Sequence, residues 1–162
     1  MGWLCSEITE KGANTERVII YLQRWKTCGE LFSRFKSNIP KERRHHFNMY
    51  HTNTEPEIQE HILKSFADPN ESLRVLFATI AFGLCVDIKG LHNVIMFGTP
   101  TDIDDYVQLS GRVCRDGTQS CSIVIKYPSP GSMPIKEDIK LFLNTDCLSI
   151  TLYLEIYNVQ CF

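Results

Sequence analysis

The chain has 162 residues, of which 43% are hydrophobic and 22% charged, a balance that predicts one folded domain with a buried core and excludes extensive disorder. Its 17 lysines and arginines and 19 aspartates and glutamates give a net charge of −2, which excludes a uniformly basic nucleic-acid coat but permits a local basic face. No apolar run approaches the ~20 residues of a membrane-spanning helix, so no membrane partner is expected.

The seven cysteines are scattered along the chain, and no two of them have the C-x-x-C spacing. An odd number of cysteines without this spacing argues against a disulfide framework and against a complete four-ligand zinc site. We therefore expect reduced thiols and no bound zinc.

Short apolar runs alternate with amphipathic stretches along most of the chain. The runs that are typical of buried strands are 18–21, 47–50, 73–77, 93–97 and 122–127. The stretches that favour helices are 26–36, 55–66, where apolar residues from Ile58 to Phe66 form a stripe, and 102–115. Alternating strands and helices predict an α/β fold in which helices cover a parallel sheet.

Turn-forming residues and charge divide the chain further. The Pro-Ser-Pro-Gly segment at 128–131 indicates a boundary, so the predicted parts are an N-terminal segment (1–14), a main domain (15–128), and a linker with the start of a short helical tail (129–162). Residues 78–90 are predicted to form a functional loop. Residues 24–51 hold seven lysines or arginines and two glutamates, a local charge of 7 − 2 = +5. Composition leaves open whether residues 41–46 follow a phosphate backbone or form a solvated surface.

The predicted helix 102–115 carries a notable set of polar residues. Gln108, Arg112 and Arg115 are spaced i, i+4 and i+7, so they share one face of a helix. Two guanidinium groups beside an amide suit the oxygens of a polyanion, although by spacing alone surface ion pairs are slightly favoured. Gly111 inside this helix costs ~1 kcal/mol relative to alanine and indicates a close approach of backbone.

The order of residues in this segment resembles a known motif. Gln-x-x-Gly-Arg-x-x-Arg-Asp-Gly, at 108–117, resembles motif VI of superfamily-2 helicases, and specifically of the RecQ family. Residues 75–87 (Val-Leu-Phe-Ala-Thr-Ile-Ala-Phe-Gly-Leu-Cys-Val-Asp) resemble motif V, and 18–31 resemble motif IV. The segment Tyr50-His51, followed by Gln59 and Phe66, is similar to the stretch between motifs IV and V. The resemblance covers about residues 15–147, in order.

Some positions depart from the family pattern. Leu109 stands where the family has a glutamate, Val113-Cys114 replaces Ala-Gly, and Cys85 replaces a glycine of motif V. Cys147 resembles the first cysteine of the family's zinc-binding module, but Leu148-Ser149 replaces the two arginines that follow it. These differences affect the expected ATP hydrolysis and zinc binding rather than the expected fold.

The resemblance implies a RecA-like (P-loop NTPase-type) domain, the second of two that hold ATP with Mg²⁺ between them. The P-loop and the acidic metal-binding motif of such enzymes lie in the first domain, and this sequence contains no Gly-Lys and no Asp-Glu dipeptide. We therefore expect this chain to act with a missing N-terminal RecA-like domain and to be inactive alone. By resemblance, Arg115 is the arginine finger, Arg112 contacts the phosphates, and Gln108 links the nucleotide to domain closure. The implied nucleotide-binding residues are Asp87, Gly83 and Gly111.

The resemblance also implies a nucleic-acid partner. Thr79, Arg24 and His51 are expected to contact the backbone of a DNA strand at a junction between single strand and duplex. The implied activity is 3′–5′ unwinding of DNA in repair and recombination, in the nucleus, with the cytoplasm left open. Two alternatives remain: a catalytically inactive module that binds nucleic acid or protein, and an RNA-directed helicase. The second ranks lower because DEAD-type RNA helicases carry His-Arg-x-Gly-Arg, whereas here Val107-Gln108 stands ahead of this segment.

Overall fold

The computed structural model describes residues 2–51, 53–79, 88, 90–111, 121–126 and 136–144. Its strands are β1 (Arg17–Leu22), β2 (Phe47–Tyr50), β3 (Val75–Thr79), β4 (Leu91–Phe97) and β5 (Cys121–Ile125). All neighbouring pairs are parallel, in the order β2-β3-β1-β4-β5. The helices are α1 (Gly2–Lys11), α2 (Trp25–Ser37), α3 (Pro56–Ala67), α4 (Ile103–Ser110) and α5 (Glu137–Phe142). The predicted α/β fold with a parallel sheet is confirmed.

The central strand β1 supplies apolar residues to both faces of the sheet. Val18, Ile20 and Leu22 belong to one buried cluster, and Ile19 and Tyr21 belong to the other. Successive side chains of a strand point to opposite faces, so a strand covered on both sides must be apolar throughout. This is why β1 reads as a continuous apolar run and was predictable from the sequence.

The helices divide between the two faces. Residues of α1 and α2 pack in the cluster of Val18, whereas residues of α3, α4 and α5 pack in the cluster of Ile19. The sequence pattern predicted no helix before residue 15, yet Leu4 and Ile8 of α1 have no exposed surface. Helix α5 likewise buries Ile139 and Phe142, although it lies beyond the predicted boundary at 128. The boundaries at 14 and 128 stay predictions.

Several predicted elements differ from the structure. Strand β3 lies two residues later than predicted, so Thr79 is its last residue rather than part of the following loop. Helix α4 ends at Ser110, and Gly111 is its C-cap, so the prediction that Gly111 lies inside the helix is wrong. Ile58, predicted in the apolar stripe of α3, is 47% exposed because it belongs to the first turn of α3, whereas Ile62 and Phe66 of later turns reach the core.

Among the described residues, Cys5, Cys28 and Cys121 are free thiols. Burial raises the pKa of the Cys28 thiol to about 11, so this thiol stays protonated and unreactive near neutral pH. Within the same part of the chain, no group of three or more His, Cys, Asp or Glu side chains is arranged to hold a metal ion. None of the described helices is long and apolar enough to cross a membrane.

The segment Lys41–His46 forms a 3-10 helix that leads into the amino-terminal end of β2. This part of the basic stretch therefore lies at the opposite edge of the sheet from Thr79. Its last residue, His46, is 3% exposed, and His46 Nδ1 lies 2.8 Å from the Ser72 carbonyl oxygen. Burial lowers the pKa of His46 below its ordinary 6.5, and the nearby charges of His45, Arg43 and Arg74 lower it further.

The lowered pKa of His46 predicts a loss of stability in mild acid. The unfolded chain binds a proton at His46 more readily than the folded chain does. The free energy of unfolding is therefore unaffected by protonation of His46 above pH 6.5 and decreases as the pH falls below this value. We expect urea unfolding midpoints to decrease between pH 8 and pH 5.5, and this decrease to be smaller in His46→Gln. His45→Gln, at an exposed neighbouring histidine, is expected to retain most of the decrease. An equal slope in wild type and His46→Gln would contradict the assignment.

Candidate functional site at the carboxyl edge of the sheet

The three predicted nucleic-acid residues lie at the carboxyl ends of three neighbouring strands. Thr79 ends β3 and is paired with Leu22, the last residue of β1. Arg24 follows β1 as the N-cap of α2, and His51 follows β2. Because β2, β3 and β1 are adjacent, the fold brings these residues to one edge, although they are far apart in sequence. Ligands of open parallel sheets bind at this edge.

The same edge contains a topological switch point between β1 and β4. These two strands are neighbours, with Leu22 paired to Phe97, but the helices that follow them cover opposite faces of the sheet. Helix α2 follows β1 on one face, and α4 follows β4 on the other. A crevice forms where successive connections diverge in this way, and in doubly wound folds it is the usual binding site.

Gln23 spans this switch point, a role that the sequence analysis missed. The Gln23 Nε2 group donates a hydrogen bond to the carbonyl oxygen of Thr99, in the segment between β4 and α4. Gly98 precedes Thr99 with a φ of 108°, a conformation that favours glycine, and Gly98 N–H donates to the Ile125 carbonyl oxygen at 3.0 Å. The bond from Gln23 thus joins the ends of β1 and β4. Motif patterns alone carried no signal for it, because the partners are separated by 76 residues.

Helix α4 carries the described part of the predicted nucleotide site. Leu109 lines a small cavity together with Gln23 and Gly98, so the last turn of α4 lies at the carboxyl edge. Gln108, in that turn, is exposed. Gly111 N–H closes the helix by donating to the Val107 carbonyl oxygen at 2.8 Å. The other residues predicted for this site lie outside the described residues: Arg112, Arg115, Gly83 and Asp87.

A hydrogen-bonded clamp fixes the loop that carries His51. The amide of Gln59, on α3, donates from Nε2 to the carbonyl oxygens of His51 at 3.1 Å and Thr54 at 2.8 Å. The hydroxyl of Tyr50 donates to Gln59 Oε1 at 3.1 Å. The imidazole of His51 accepts from Asn53 N–H at 3.1 Å through Nδ1, so its neutral ring carries the proton on Nε2. His51 therefore presents an N–H donor, which suits a phosphate oxygen.

Asp102 caps α4 and connects it to the segment before α5. Its Oδ1 accepts from Asp105 N–H at 2.9 Å, and its Oδ2 lies 2.9 Å from Lys136 Nζ. The hydrogen bond from Asp105 N–H lowers the pKa of the Asp102 carboxyl below its ordinary 3.8, and the Lys136 ammonium lowers this pKa further. An aspartate directly before a helix is a recognised N-cap, so the hydrogen bond from Asp105 N–H to Asp102 could have been predicted from the sequence.

Removing the cap has a predictable effect on stability. We expect Asp102→Ala to lower the free energy of unfolding by about 1 kcal/mol, because it leaves a first-turn N–H of α4 without its acceptor. The difference from wild type should be complete above pH 3.8 and decrease as the pH falls through the lowered pKa of Asp102. Urea unfolding of wild type and Asp102→Ala at pH 7 and pH 3 measures the loss of free energy and its dependence on pH. Asp104→Ala, in the same helical turn, is the control and is expected to lose less; equal losses would contradict the capping role.

Comparison with known proteins decides the family. Residues 1–117 match the family profile described as helicase conserved C-terminal domain. The chain belongs to this family. It is 30% identical over 113 residues to the ATP-dependent DNA helicase RecQ of Bacillus subtilis, an alignment that covers 70% of this chain and 18% of RecQ. It is 28% identical over 120 residues to the ATP-dependent helicase SGS1 of Saccharomyces cerevisiae, covering 74% of this chain and 8% of SGS1. The RecQ resemblance inferred from motifs IV to VI is thereby confirmed.

Solved structures support the fold of this helicase domain. The helicase MrfA bound to DNA superimposes with a TM-score of 0.67 at 20% identity, covering 78% of this chain and 18% of that one. Domain 2 of the DEAD-box helicase Mss116p, bound to an RNA duplex, gives a TM-score of 0.63 at 20% identity, covering 76% and 46%. The chain thus spans a small part of the curated relatives it matches. The described residues have the RecA-like fold of helicase C-terminal domains.

Proposed function

We propose that this chain is the second RecA-like domain of an ATP-dependent 3′–5′ DNA helicase of RecQ type, acting in DNA repair and recombination in the nucleus. The observation that carries the proposal is the carboxyl edge of the sheet, where the ends of β1, β3 and α4 carry the described parts of motifs IV, V and VI. The match of residues 1–117 to the helicase family supports the same assignment. An N-terminal RecA-like domain is the partner that supplies the P-loop and binds Mg²⁺.

Three side chains are proposed to contact the nucleic-acid backbone. The hydroxyl of Thr79, the guanidinium of Arg24 and Nε2–H of His51 are all hydrogen-bond donors at one edge of the sheet. Such donors bind phosphate oxygens irrespective of base sequence, which a motor that moves along a strand requires. The hydrogen bonds of Gln59 to the carbonyl oxygens of His51 and Thr54 hold the backbone of His51, and the Asn53 N–H bond to Nδ1 orients its ring.

The nucleotide is proposed to bind on the α4 side of the same edge. Gln108 lies in the last turn of α4 there, and the sequence then leads to Arg112 and Arg115, which by resemblance contact the phosphates. Asp87 and Gly83 of motif V are assigned to the same nucleotide. ATP with Mg²⁺ supplies the phosphoryl group and the metal charge. The residues of this chain position the phosphates and compensate the charge that develops during transfer.

A chimera tests the proposal. In B. subtilis RecQ, the segment that aligns with this chain is replaced by the chain, and RecQ lacking that segment is the control. We expect ATP hydrolysis stimulated by single-stranded DNA, together with unwinding of a duplex with a 3′ tail but not of one with a 5′ tail. Faster unwinding with an RNA loading strand would favour the RNA-directed alternative. Hydrolysis no faster than the control would contradict an enzymatic role.

The second candidate function is a catalytically inactive helicase-like module that binds nucleic acid or protein. The departures from the family pattern at Leu109, Cys85 and Cys114 favour it, since they fall within motifs V and VI. Leu109 is 2% exposed and packs in the core, so it replaces a family glutamate with an apolar contact. A chimera that binds DNA as tightly as RecQ but does not hydrolyse ATP would support this function.

A further inference from the structure

Trp25, the first residue of α2, is exposed far more than a tryptophan usually is. Of its surface, 69% is exposed, the largest value among the exposed large hydrophobic residues of the described chain. Tryptophan is on average a highly buried residue, and it is enriched at contact surfaces. Trp25 does not anchor α2 to the sheet. Helix α2 packs on the sheet through Cys28 and Phe35, which are 0% and 3% exposed.

The position of Trp25 explains why the fold leaves it uncovered. Residues three apart share one side of a helix, so Trp25 lies on the side of Cys28 but one turn nearer the carboxyl edge. Cys28 packs against the sheet, whereas Trp25 is the first residue of the helix and comes only three residues after the end of β1 at Leu22. The indole therefore lies at the end of the sheet and not over it.

Trp25 lies beside the residues assigned to nucleic acid. Leu22, three residues earlier, is paired with Thr79 of β3. The neighbours in sequence, Arg24 and Lys26, are both exposed, and the first turn of α2 contains no acidic residue. The positive end of the helix dipole thus adds to the two cationic side chains at this point. The surface formed by Arg24, Trp25 and Lys26 combines one exposed aromatic ring with positive charge.

We propose that Trp25 is a stacking platform for one base of a single nucleic-acid strand, with Arg24 and Lys26 binding the adjacent phosphates. The inference rests on the proposed function, which assigns only backbone contacts to this edge. An aromatic ring stacks on any base, because every base has a π-face, so the contact adds affinity without sequence specificity. It also distinguishes a single strand, whose bases are free to unstack, from a duplex, whose bases are already stacked.

Tryptophan fluorescence tests the proposal directly. The sequence contains two tryptophans, so in Trp3→Phe the emission of the whole chain reports Trp25 alone. Two probes are used at ~50 mM salt, where phosphate contacts are strong: an oligo-dT strand of about 16 nucleotides and an abasic strand with the same number of phosphates. We expect oligo-dT to quench the emission of Trp25 and the abasic strand to bind without comparable quenching. Fluorescence anisotropy of labelled strands measures binding of each probe independently.

Substitution of Trp25 provides the second readout. Trp25→Ala is expected to weaken oligo-dT binding about tenfold and to leave binding of the abasic strand unchanged. Trp25→Phe, which keeps a ring, is expected to restore most of the difference. Because the side chain is exposed, the thermal unfolding midpoint should not change. Equal binding of both strands, with no quenching and no effect of Trp25→Ala, would overturn stacking while leaving the proposed backbone contacts intact. Failure of both strands to bind would overturn the stacking platform and the nucleic-acid part of the proposed function together.

Discussion

In the RecQ chimera, Arg115→Ala is expected to lower kcat for ATP hydrolysis by about 10³–10⁵-fold, the range known for arginine fingers in phosphoryl transfer. A guanidinium in the proposed finger position stabilises negative charge that is larger in the transition state than in bound ATP. The loss should therefore appear mainly in kcat, with a smaller change in KM. Arg112→Ala, which removes the phosphate contact proposed for the ground state as well, should also raise KM.

The control for this prediction is a charge removed elsewhere. Lys64, on α3, pairs with Glu60 at 2.7 Å and its side chain is 75% exposed, so Lys64→Ala should leave the rate unchanged. Arg115→Lys is informative too, because an ammonium keeps the charge but lacks the planar fork of donors, and it should restore little activity. Unchanged hydrolysis in Arg115→Ala would refute the finger assignment and favour the binding module.

The largest effect on stability is expected at Phe77, in the middle of β3. Its side chain has no exposed surface, and its ring packs edge-on against Phe32 and Phe35, with centroids 5.6 Å and 5.1 Å away. Phe77→Ala removes these contacts and leaves a cavity between sheet and helix, so we expect a loss of about 3–5 kcal/mol in the free energy of unfolding. Urea denaturation followed by far-UV circular dichroism measures this loss.

Two further variants make the result interpretable. Leu141→Ala, at a residue that is 64% exposed on α5, should change stability by no more than about 0.5 kcal/mol. Phe77→Leu fills part of the cavity and should lose less than Phe77→Ala, and it can be measured if the alanine variant fails to fold. A loss at Phe77→Ala no greater than at Leu141→Ala would contradict the packing described here.

Strand and helix types were largely predictable because they depend on local periodicity. The β-branched run of β1 and the amphipathic pattern of α2 each specify one kind of element over a short window. Helix α1 was missed because only two of its ten residues, Leu4 and Ile8, are buried, and two residues form only a weak stripe. The end of α4 was also predicted wrongly, since the pattern beyond Gly111 still has helical spacing.

The candidate site was predictable only as a set of residues. The motifs identified Gln108, Thr79 and Arg24, because each motif is a short sequence signature. Which of these lie together depends on pairings such as that of Leu22 with Thr79, and on the hydrogen bond from Gln23 to Thr99. These partners are distant in sequence, and no local pattern encodes them.

The α/β class, the approximate positions of the five strands and the helicase motifs IV to VI could all be inferred from the amino-acid sequence. These properties follow from residue type and spacing within windows of a few turns. The strand order β2-β3-β1-β4-β5, the switch point between β1 and β4, and the exposure of Trp25 at the same edge became visible in the folded molecule. Strand order and burial depend on which distant segments pack together, and packing is a property of the whole chain.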